Sequence, residues 1–220
     1  MVDLAKSDVF VDYCVQWDYL AAERVGCAVN SRDVLPNLRS LMEHASWAGT
    51  PVISCVDLRR ANEVDQDLHL ARRYLDLSAE KPKFSLLRDR VMVENDNCLG
   101  LQLDLLATRQ QAVFAKYHRD PFTNPKLDRL LTEMPARRFV VFGAALEVSL
   151  RMLVLGLLRR SRRVALIEDA CAYGREDEAQ LVLRQLAVKG CEMLATGAVL
   201  QAAVQRRSSV RVRATRRSVA

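Results

Sequence analysis

The sequence predicts a three-layer α/β/α domain with a six-stranded parallel sheet. Short runs of continuously apolar residues recur along the chain, and segments with a helical spacing of apolar residues separate them. Strands that are apolar on both faces are typical of parallel sheets covered by helices on both sides. With 220 residues, the chain is also long enough to bury one sizeable core, and it shows no internal repeat.

Each predicted strand is a short apolar run bounded by polar or turn-forming residues. The six runs are 9–11, 51–56, 112–115, 139–142, 164–167 and 191–194. Four segments between them have helical spacing: one capped by Asn30 or Ser31 and stopped by Gly49, one opening at Asn124, and two over 150–160 and 176–189. The charged stretch 58–109 interrupts this alternation. It is too long for an ordinary connection, which indicates a lid, a side hairpin or an oligomer contact, and 90–93 could add a short strand.

The net charge of +6 comes from the C-terminal segment alone. Six arginines lie between Arg206 and Arg217 without an acidic residue, so the rest of the chain is formally neutral. We therefore predict a single domain over 1–204 and a disordered arginine-rich tail over 205–220. A solvated tail is the simpler interpretation, and weak electrostatic contact with nucleic acid, anionic lipid or an acidic partner is the alternative.

The apolar runs and the six cysteines help to predict the cellular compartment of the protein. No run is long enough to cross a bilayer, since Glu147, Ser149 and Arg151 interrupt the longest one. The first six residues lack the shape of a signal peptide. The cysteines are scattered without metal-ligand spacing. We therefore predict a cytoplasmic protein with free thiols, no membrane partner, no cofactor and no metal site.

Three polar residues follow predicted strands. Asp12 ends the first strand, Lys116 ends the third, and Ser149 lies in the first turn of the helix after the fourth. Ligands of open parallel sheets bind outside the carboxyl ends of the strands. A helix start adds free N–H groups and a partial positive charge, which favour anions and developing oxyanions. If the strand order reverses between the first and fourth strands, Asp12 and Ser149 flank the crevice. The alternative interpretation is that these residues are polar simply because strand ends meet water.

Four segments, in order, resemble the isochorismatase-like cysteine hydrolases, which include isochorismatases, nicotinamidases and N-carbamoyl-amidases. The segments are 11–17, 116–128, 142–149 and 164–172. The third of them, Phe-Gly-Ala-Ala-Leu-Glu-Val-Ser, is similar to the family motif Gly-Val-x-Thr-Asp/Glu-x-Cys. The resemblance extends from about residue 8 to about residue 199 and implies the α/β/α fold of that family.

The resemblance also implies a site. In the family, an aspartate takes the proton of a cysteine thiol, a lysine gives electrostatic support, and N–H groups at the helix start hold the oxyanion. By position, Asp12 would be the base, Lys116 the electrostatic partner and Ser149 would stand at the nucleophile position. A cis peptide bond would join Ala144 to Ala145, and the N–H groups of Ala145 and Ser149 would form the oxyanion hole.

This chain has serine where the family has cysteine. A serine hydroxyl is far less acidic than a thiol and normally needs an oriented base such as histidine. No histidine flanks Ser149, and Asp12 is a poor base for an alcohol. We therefore expect the usual hydrolysis to be crippled or absent. Natural divergence or a deliberate replacement would both explain Ser149, and departures at Cys14, Asp120 and Leu146, where the family has Gln, Ser and Thr, favour divergence.

Four further residues are candidates for the pocket. Residues two apart in a strand face the same side, so Cys14 is expected beside Asp12 near the pocket, either as a relocated nucleophile or redox thiol or as a small buried residue. Trp17 and Phe122 would be wall or core residues, and His118 a wall or solvated loop residue. A nicotinamidase-type metal site is not expected, because Arg59 stands where a histidine ligand is needed and His69 has no partner at ligand spacing.

Three functions are compatible with this sequence, and whether the protein is an enzyme stays open. The favoured one is an impaired hydrolase-type protein that binds a small carbonyl or amide compound. The second is an active hydrolase of a small amide, carbamoyl or vinyl-ether substrate that uses Ser149 or Cys14. The third is a non-catalytic assembly module or a nucleic-acid-associated module. The resemblance further implies a homo-oligomer.

Overall fold

The structure is a computed structural model that describes residues 2–21, 28–57, 81–93 and 100–201. The tail predicted over 205–220, Arg59, His69 and much of the insertion 58–109 lie outside the described residues. Cys14, Cys55, Cys171 and Cys191 are free and buried, as predicted for the cysteines, while Cys27 and Cys98 also lie outside the described residues.

Seven strands of the described residues form one sheet, in which every neighbouring pair is parallel. They are β1 (Asp8–Tyr13), β2 (Val52–Asp57), β3 (Arg90–Val93), β4 (Gln111–Lys116), β5 (Arg138–Gly143), β6 (Val164–Cys171) and β7 (Glu192–Leu194). The predicted parallel α/β fold is confirmed, with seven strands rather than six. The additional strand is β3, an edge strand whose exposed Arg90 and Met92 give it only a weak apolar signal.

Six α-helices have both ends within the described residues: α1 (Trp17–Leu20), α2 (Ser31–Ala48), α3 (Leu105–Thr108), α4 (Pro125–Glu133), α5 (Arg151–Arg159) and α6 (Glu176–Val188). A further helix begins at residue 196, close to the end of the last described range. Two of the three predicted helix boundaries have the expected cap, whereas Asn30 precedes α2 without a capping hydrogen bond from its side chain. The Asn124 side chain accepts the N–H groups of Lys126 and Leu127 at the start of α4, and Gly49 ends α2 with a φ of 68°. None of the described helices combines the length and the apolarity that a membrane span requires.

The two faces of the sheet bury separate cores. Val9, Val11 and Tyr13 of β1 pack with α4, α5 and α6, on what we call the α5 face. Phe10 of β1 packs with the apolar side of α2, on what we call the α2 face. Because side chains alternate along a strand, every residue of β1 can be assigned to one of these faces.

The strand order β3-β4-β2-β1-β5-β6-β7 reverses between β1 and β5. The reversal required for a crevice between the first and fourth predicted strands is therefore present. At this point β5 ends in Gly143, which has a φ of 126°, and the Ala144 N–H donates to the Tyr13 carbonyl at 2.8 Å. The carboxyl ends of β1 and β5 are thereby tied together at the place where parallel sheets bind ligands.

The amino end of β1 carries a charge cluster that should make stability depend on pH. Asp8 pairs with Arg137 and Arg138, each at 2.7 Å. Burial pushes the pKa of Asp8 up, but hydrogen bonds from Arg138 and Arg137 outweigh it and hold the pKa below its ordinary value. Because the pKa of Asp8 is lower in the folded state, its ionised form stabilises the fold at any pH above its unfolded-state pKa. This stabilisation is lost as the pH falls through the folded-state pKa.

We therefore expect Asp8→Asn to lower the melting temperature at neutral pH and to flatten its decline below about pH 4. Thermal unfolding followed by circular dichroism between neutral and acidic pH measures both effects. Asp3→Asn is the matched control, because Asp3 forms an exposed pair with Lys6 and should change little. If the melting temperatures of Asp8→Asn and the wild-type protein fall equally steeply with decreasing pH, the expectation is contradicted.

Candidate active site

Asp12 lies in a closed polar network on the α2 face. Its side chain is fully buried, and its Oδ2 accepts hydrogen bonds from Lys81 Nζ and Ser54 Oγ, both at 2.8 Å. The ammonium of Lys81 is itself fully buried and also donates to the Val15 carbonyl at 3.1 Å. Burial raises the pKa of Asp12, and the nearby Lys81 ammonium opposes this rise. Asp12 is thus held by a lysine other than Lys116.

A buried glutamine extends this network. Gln111 Nε2 donates to Ser54 Oγ and to the Ser85 carbonyl, both at 2.8 Å, and Gln111 Oε1 accepts the Leu87 N–H at 2.7 Å. The segment that carries Lys81 is therefore bonded to Asp12 of β1 before the 3₁₀ turn Lys83–Ser85, and to Gln111 of β4 at the end of that turn and beyond it. Asp12 Oδ1 is buried and has no hydrogen-bond partner within the described residues.

Lys116 belongs to a second ion pair on the α5 face. Its Nζ lies 3.1 Å from Asp57 Oδ2 and 5.3 Å from the centre of the Tyr13 ring, and it donates to the His118 carbonyl at 3.3 Å. Asp57 Oδ2 also accepts the Tyr19 hydroxyl at 2.7 Å. Desolvation acts to lower the pKa of Lys116, but the neighbouring Cys14 and Asp57 outweigh it and leave the pKa raised.

The two ion pairs occupy opposite faces of the sheet. Asp12 is in register with Ser54 and Phe142, and Phe142 packs in the core of the α2 face. Lys116 follows Phe114 by two positions in β4 and so faces the same side, and Phe114 packs in the core of the α5 face. The structure therefore brings Asp12 together with Lys81 and brings Lys116 together with Asp57, while within the described residues no hydrogen bond or ion pair joins Asp12 to Lys116.

Ser149 lies in a π-helical turn, Leu146–Leu150, that directly precedes α5. The peptide bond between Ala144 and Ala145 is cis, which confirms the expectation drawn from the resemblance. The Ala145 carbonyl accepts the N–H groups of Val148 and Leu150, whereas the Ala145 N–H has no acceptor among the described residues. Ser149 is only 7% exposed, and no described residue forms a hydrogen bond with its hydroxyl. Its roles as nucleophile position and oxyanion-hole donor stay predictions.

The four predicted pocket residues have different environments. Cys14 has a φ of 50°, which breaks the strand alternation, so it packs in the α5-face core and the expectation that it shares the side of Asp12 is wrong. Burial raises the pKa of its thiol to about 12. Trp17 is 39% exposed and His118 is exposed on the loop after β4. The ring of Phe122 is half-buried beneath the Arg160 guanidinium, at 3.8 Å.

Sequence reasoning missed Lys81, Ser54 and Gln111. Lys81 follows the charged stretch 58–80 and no spacing connects it to Asp12. Ser54 and Gln111 did offer a signal, because each is a polar residue in or beside a run of apolar strand residues. Polar groups at fully buried strand positions need partners, so these two residues indicate a buried polar network beside Asp12.

Residues 8–199 match the family model described as the isochorismatase domain. No curated protein matches the chain. Among solved structures, a cysteine hydrolase from Pseudomonas syringae pv. phaseolicola is 15% identical, with a TM-score of 0.67 over 93% of this chain and 95% of that one. A pyrazinamidase/nicotinamidase from Streptococcus mutans is 16% identical, with a TM-score of 0.59 over 86% and 100%.

The MAR1 ribonuclease from Caenorhabditis elegans also matches, with 13% identity and a TM-score of 0.60 over 90% of this chain and 81% of that one. At such identities the three structures show a shared fold alone. The three proteins are named for different activities, so the function of this chain depends on its site rather than on its fold.

Proposed function

Since this chain belongs to the isochorismatase family, we propose that it binds a small carbonyl or amide compound without hydrolysing it by the cysteine-type mechanism. The proposal keeps the position of the family's site, at the carboxyl ends of β1, β4 and β5. It assigns Ser149 to ligand contact rather than to nucleophilic attack. Four features of the described residues support it.

The observation that carries the proposal is the engagement of Asp12. A general base must be able to reach the proton that it removes. The Oδ2 of Asp12 is already bound by Lys81 and Ser54 within a fully buried network on the α2 face. Within the described residues, Ser149 forms no hydrogen bond with this carboxylate, and its turn packs through Leu146 and Leu150 in the α5-face core. Asp12 Oδ1 has no described partner, but the carboxylate lies on the α2 face while the turn that carries Ser149 packs on the α5 face. Asp12 is thus poorly placed to activate a nucleophile at position 149.

Ser149 also lacks any other base in the described residues. A serine nucleophile is weak unless a neighbouring group takes its proton, as histidine does in hydrolase triads. His118 is exposed, and His44 packs against Phe10 and Trp47, away from the carboxyl edge of the sheet. Lys116 is bound by Asp57, and its raised pKa keeps it a cation that cannot accept a proton.

The unused N–H of Ala145 supports the binding part of the proposal. A donor without an acceptor, next to the start of a helix, can hold the oxygen of a carbonyl group. The Ala145 N–H has this property among the described residues, and Ser149 can add its hydroxyl and N–H nearby. A carbonyl or a primary amide is the ligand chemistry that such donors accept.

Cys14 does not supply an alternative nucleophile. The reactive form of cysteine is the thiolate. Burial raises the pKa of Cys14 to about 12, although the adjacent Lys116 acts in the opposite direction, so the thiolate is scarce at neutral pH. We therefore expect Cys14 to resist alkylation in the folded protein and to react only after denaturation, which mass spectrometry of the labelled peptides can measure.

The test compares wild-type protein with Ser149→Cys and Ser149→Ala, using nicotinamide and an N-carbamoyl amino acid as probes. We expect binding by calorimetry but no ammonia release by the wild-type protein. Restoring the thiol with Ser149→Cys should not produce turnover, because Asp12 stays bound to Lys81. Ser149→Ala is the matched control and should weaken binding without abolishing it.

Two results would overturn the proposal. One is ammonia release by the wild-type protein that Asp12→Asn abolishes, or an acyl adduct on Ser149 or Cys14 in the intact mass, either of which indicates an active hydrolase. The other is the absence of binding for every small carbonyl and amide tested, which would leave the chain without a small-molecule role. Turnover by Ser149→Cys, without turnover by the wild-type protein, would show that Asp12 can take a proton from a thiol at position 149 despite its bond to Lys81.

A further inference from the structure

Basic residues accumulate where β5, β6 and β7 begin. These three strands are parallel neighbours, so the segments that lead into them lie side by side at the amino edge of the sheet, opposite the candidate active site. Arg138 begins β5, Arg163 precedes β6, and Lys189 precedes β7. The Phe139 N–H donates to the Arg163 carbonyl at 2.9 Å, which fixes Arg163 beside Arg138. We call the surface formed by residues 137–138, 159–163 and 189 the basic edge.

The turn between α5 and β6, with the sequence Arg-Arg-Ser-Arg-Arg over 159–163, contains arginines of two kinds. Arg160 forms an ion pair with an aspartate of α4 at 2.8 Å, and Arg162 donates to backbone carbonyls just beyond α4. These two guanidinium groups hold the turn against the fold. The side chains of Arg159 and Arg163 are exposed, and they form no hydrogen bond or ion pair with any described residue. They are therefore free to bind a partner.

Positive charge is in excess at the basic edge. The carboxylates of Asp8 and Glu192 are already bound by Arg137 and Arg138. Four further cations have no carboxylate partner among the described residues, namely Arg159, Arg162, Arg163 and Lys189. Cations at the end of a helix also offset its dipole, which accounts in part for those that end α5 and α6. Arg163 lies beyond α5 and directly precedes β6, so the helix dipole does not explain it.

We propose that the basic edge binds the phosphate backbone of a nucleic-acid duplex, with Arg159, Arg163 and Lys189 as the phosphate contacts. A guanidinium group binds two phosphate oxygens at once, and an ammonium group binds phosphate as a point charge. Each contact releases a counterion condensed on the nucleic acid, which supplies affinity without reading the base sequence. The basic edge therefore has the chemistry of a sequence-independent contact.

The composition of the surface favours a duplex over other anionic partners. Neither 159–163 nor 184–190 contains an aromatic residue, whereas proteins that hold single strands stack bases on aromatic side chains. Segments that lie on membranes place Trp, Phe or Leu beside their cations, and a protein partner requires an apolar core in the contact. Val188 is the one large apolar side chain that is exposed in these two segments, and a single such residue is ordinary. A duplex requires cations alone.

The arginine-rich segment predicted over 205–220 follows in the sequence from the same edge. Ala198 and Val199, near the end of the last described range, line a pocket of about 520 Å³ together with Asp8 and Arg138. The described residues therefore end close to the basic edge. The six arginines between residues 206 and 217 come next in the chain and have no acidic neighbour. Their charge adds to the field of the basic edge, which attracts a polyanion.

The test measures the affinity of the full chain for a labelled DNA duplex and a labelled RNA duplex by fluorescence anisotropy, over a range of salt concentrations. The two duplexes distinguish the source of the phosphates. We expect the wild-type protein to bind at least one of them, with an affinity that falls steadily as salt is added. Arg159→Gln combined with Arg163→Gln should weaken binding by about tenfold at low salt, and should reduce the slope of log affinity against log salt by about two. The melting temperature should not change, because neither side chain has a described partner.

Two further double variants serve as matched controls. Arg32→Gln combined with Arg119→Gln removes the same charge from exposed arginines near the carboxyl edge, where Arg32 lies in the first turn of α2 and Arg119 follows β4. This control should leave the salt slope unchanged. Arg159→Lys combined with Arg163→Lys should keep the slope as well, since lysine also releases a counterion.

Four results would overturn the proposal. They are a wild-type protein that binds neither duplex at low salt, an unchanged slope for the double glutamine variant at 159 and 163, an equal loss in the Arg32 and Arg119 control, and tighter binding to vesicles of anionic phospholipid than to either duplex. An unchanged slope would assign the binding to the arginine-rich segment alone. Nicotinamide binding should be the same in the wild-type protein and in every variant, so failure here is distinct from failure of the proposed function.

Discussion

Replacing Lys81 with methionine should destabilise the protein by about 3–5 kcal/mol, because it leaves the Asp12 carboxylate buried without its cation. Methionine keeps most of the length of lysine but brings no charge and no donor. Ser54 would be the one hydrogen-bond donor from a described side chain left to Asp12. The free energy of unfolding in urea measures this loss, and it should approach the total stability of many domains of this size.

A double-mutant cycle separates the ion pair from other effects of the Lys81 change. Lys81→Met should cost much less in an Asp12→Asn background, since no charge is then left unpaired. Burial already raises the pKa of Asp12, and removal of Lys81 should raise it further. When the pKa of Asp12 is higher in the folded state than in the unfolded state, folding takes up a proton. The loss of unfolding free energy caused by Lys81→Met should therefore shrink as the pH falls toward the unfolded-state pKa of Asp12. An equal cost in both backgrounds, at every pH, would show that the pair is not coupled.

Replacing Gly143 with alanine should prevent the protein from folding, or cost more than about 4 kcal/mol, because two faults combine. A Cβ at this position would lie 2.0 Å from the Tyr13 carbonyl oxygen and 2.8 Å from its carbon, and both atoms are backbone. The φ of 126° is also a conformation that side chains with a Cβ rarely adopt. Neither fault can be relieved without separating β5 from β1.

The yield of soluble protein and its melting temperature test this expectation. Gly49→Ala is the matched control, since Gly49 also has a positive φ, of 68°, but a Cβ there would have no atom within 4 Å. We expect Gly49→Ala to cost only about 1 kcal/mol. If the two variants are equally stable, the close contact between Gly143 and Tyr13 does not constrain the fold.

Local patterns were sufficient to predict the sheet and its main helices. The apolar runs at 52–56 and 139–142 report burial on both faces, which is a property of each strand alone. The edge strand β3 coincides with the short additional strand that the sequence allows at 90–93, and it is only a weak prediction because the exposed Arg90 and Met92 interrupt its apolar pattern. The reversal between β1 and β5 could be stated only as a condition, because strand order depends on contacts between distant segments.

The positions of the candidate site were predictable, but the partners of its residues were not. Asp12, Lys116 and Ser149 were found because each lies at a strand end or helix start. Which lysine binds Asp12 depends on the register and on the face to which each side chain points. Cys14 shows the same limit, since a single residue with a positive φ moved it to the other core.

The two ion pairs, Asp12 with Lys81 and Asp57 with Lys116, have a consequence for ligand selectivity. Each couples one acid with one base, so together they add no net charge to the carboxyl edge of the sheet. An ionised ligand would lose its hydration there without a free counterion among these four side chains, which is costly. An uncharged ligand has no such loss. These two ion pairs should therefore favour a neutral amide over the corresponding carboxylate, even where the two have nearly the same shape, and this preference opposes the attraction of the free Ala145 N–H for an anion.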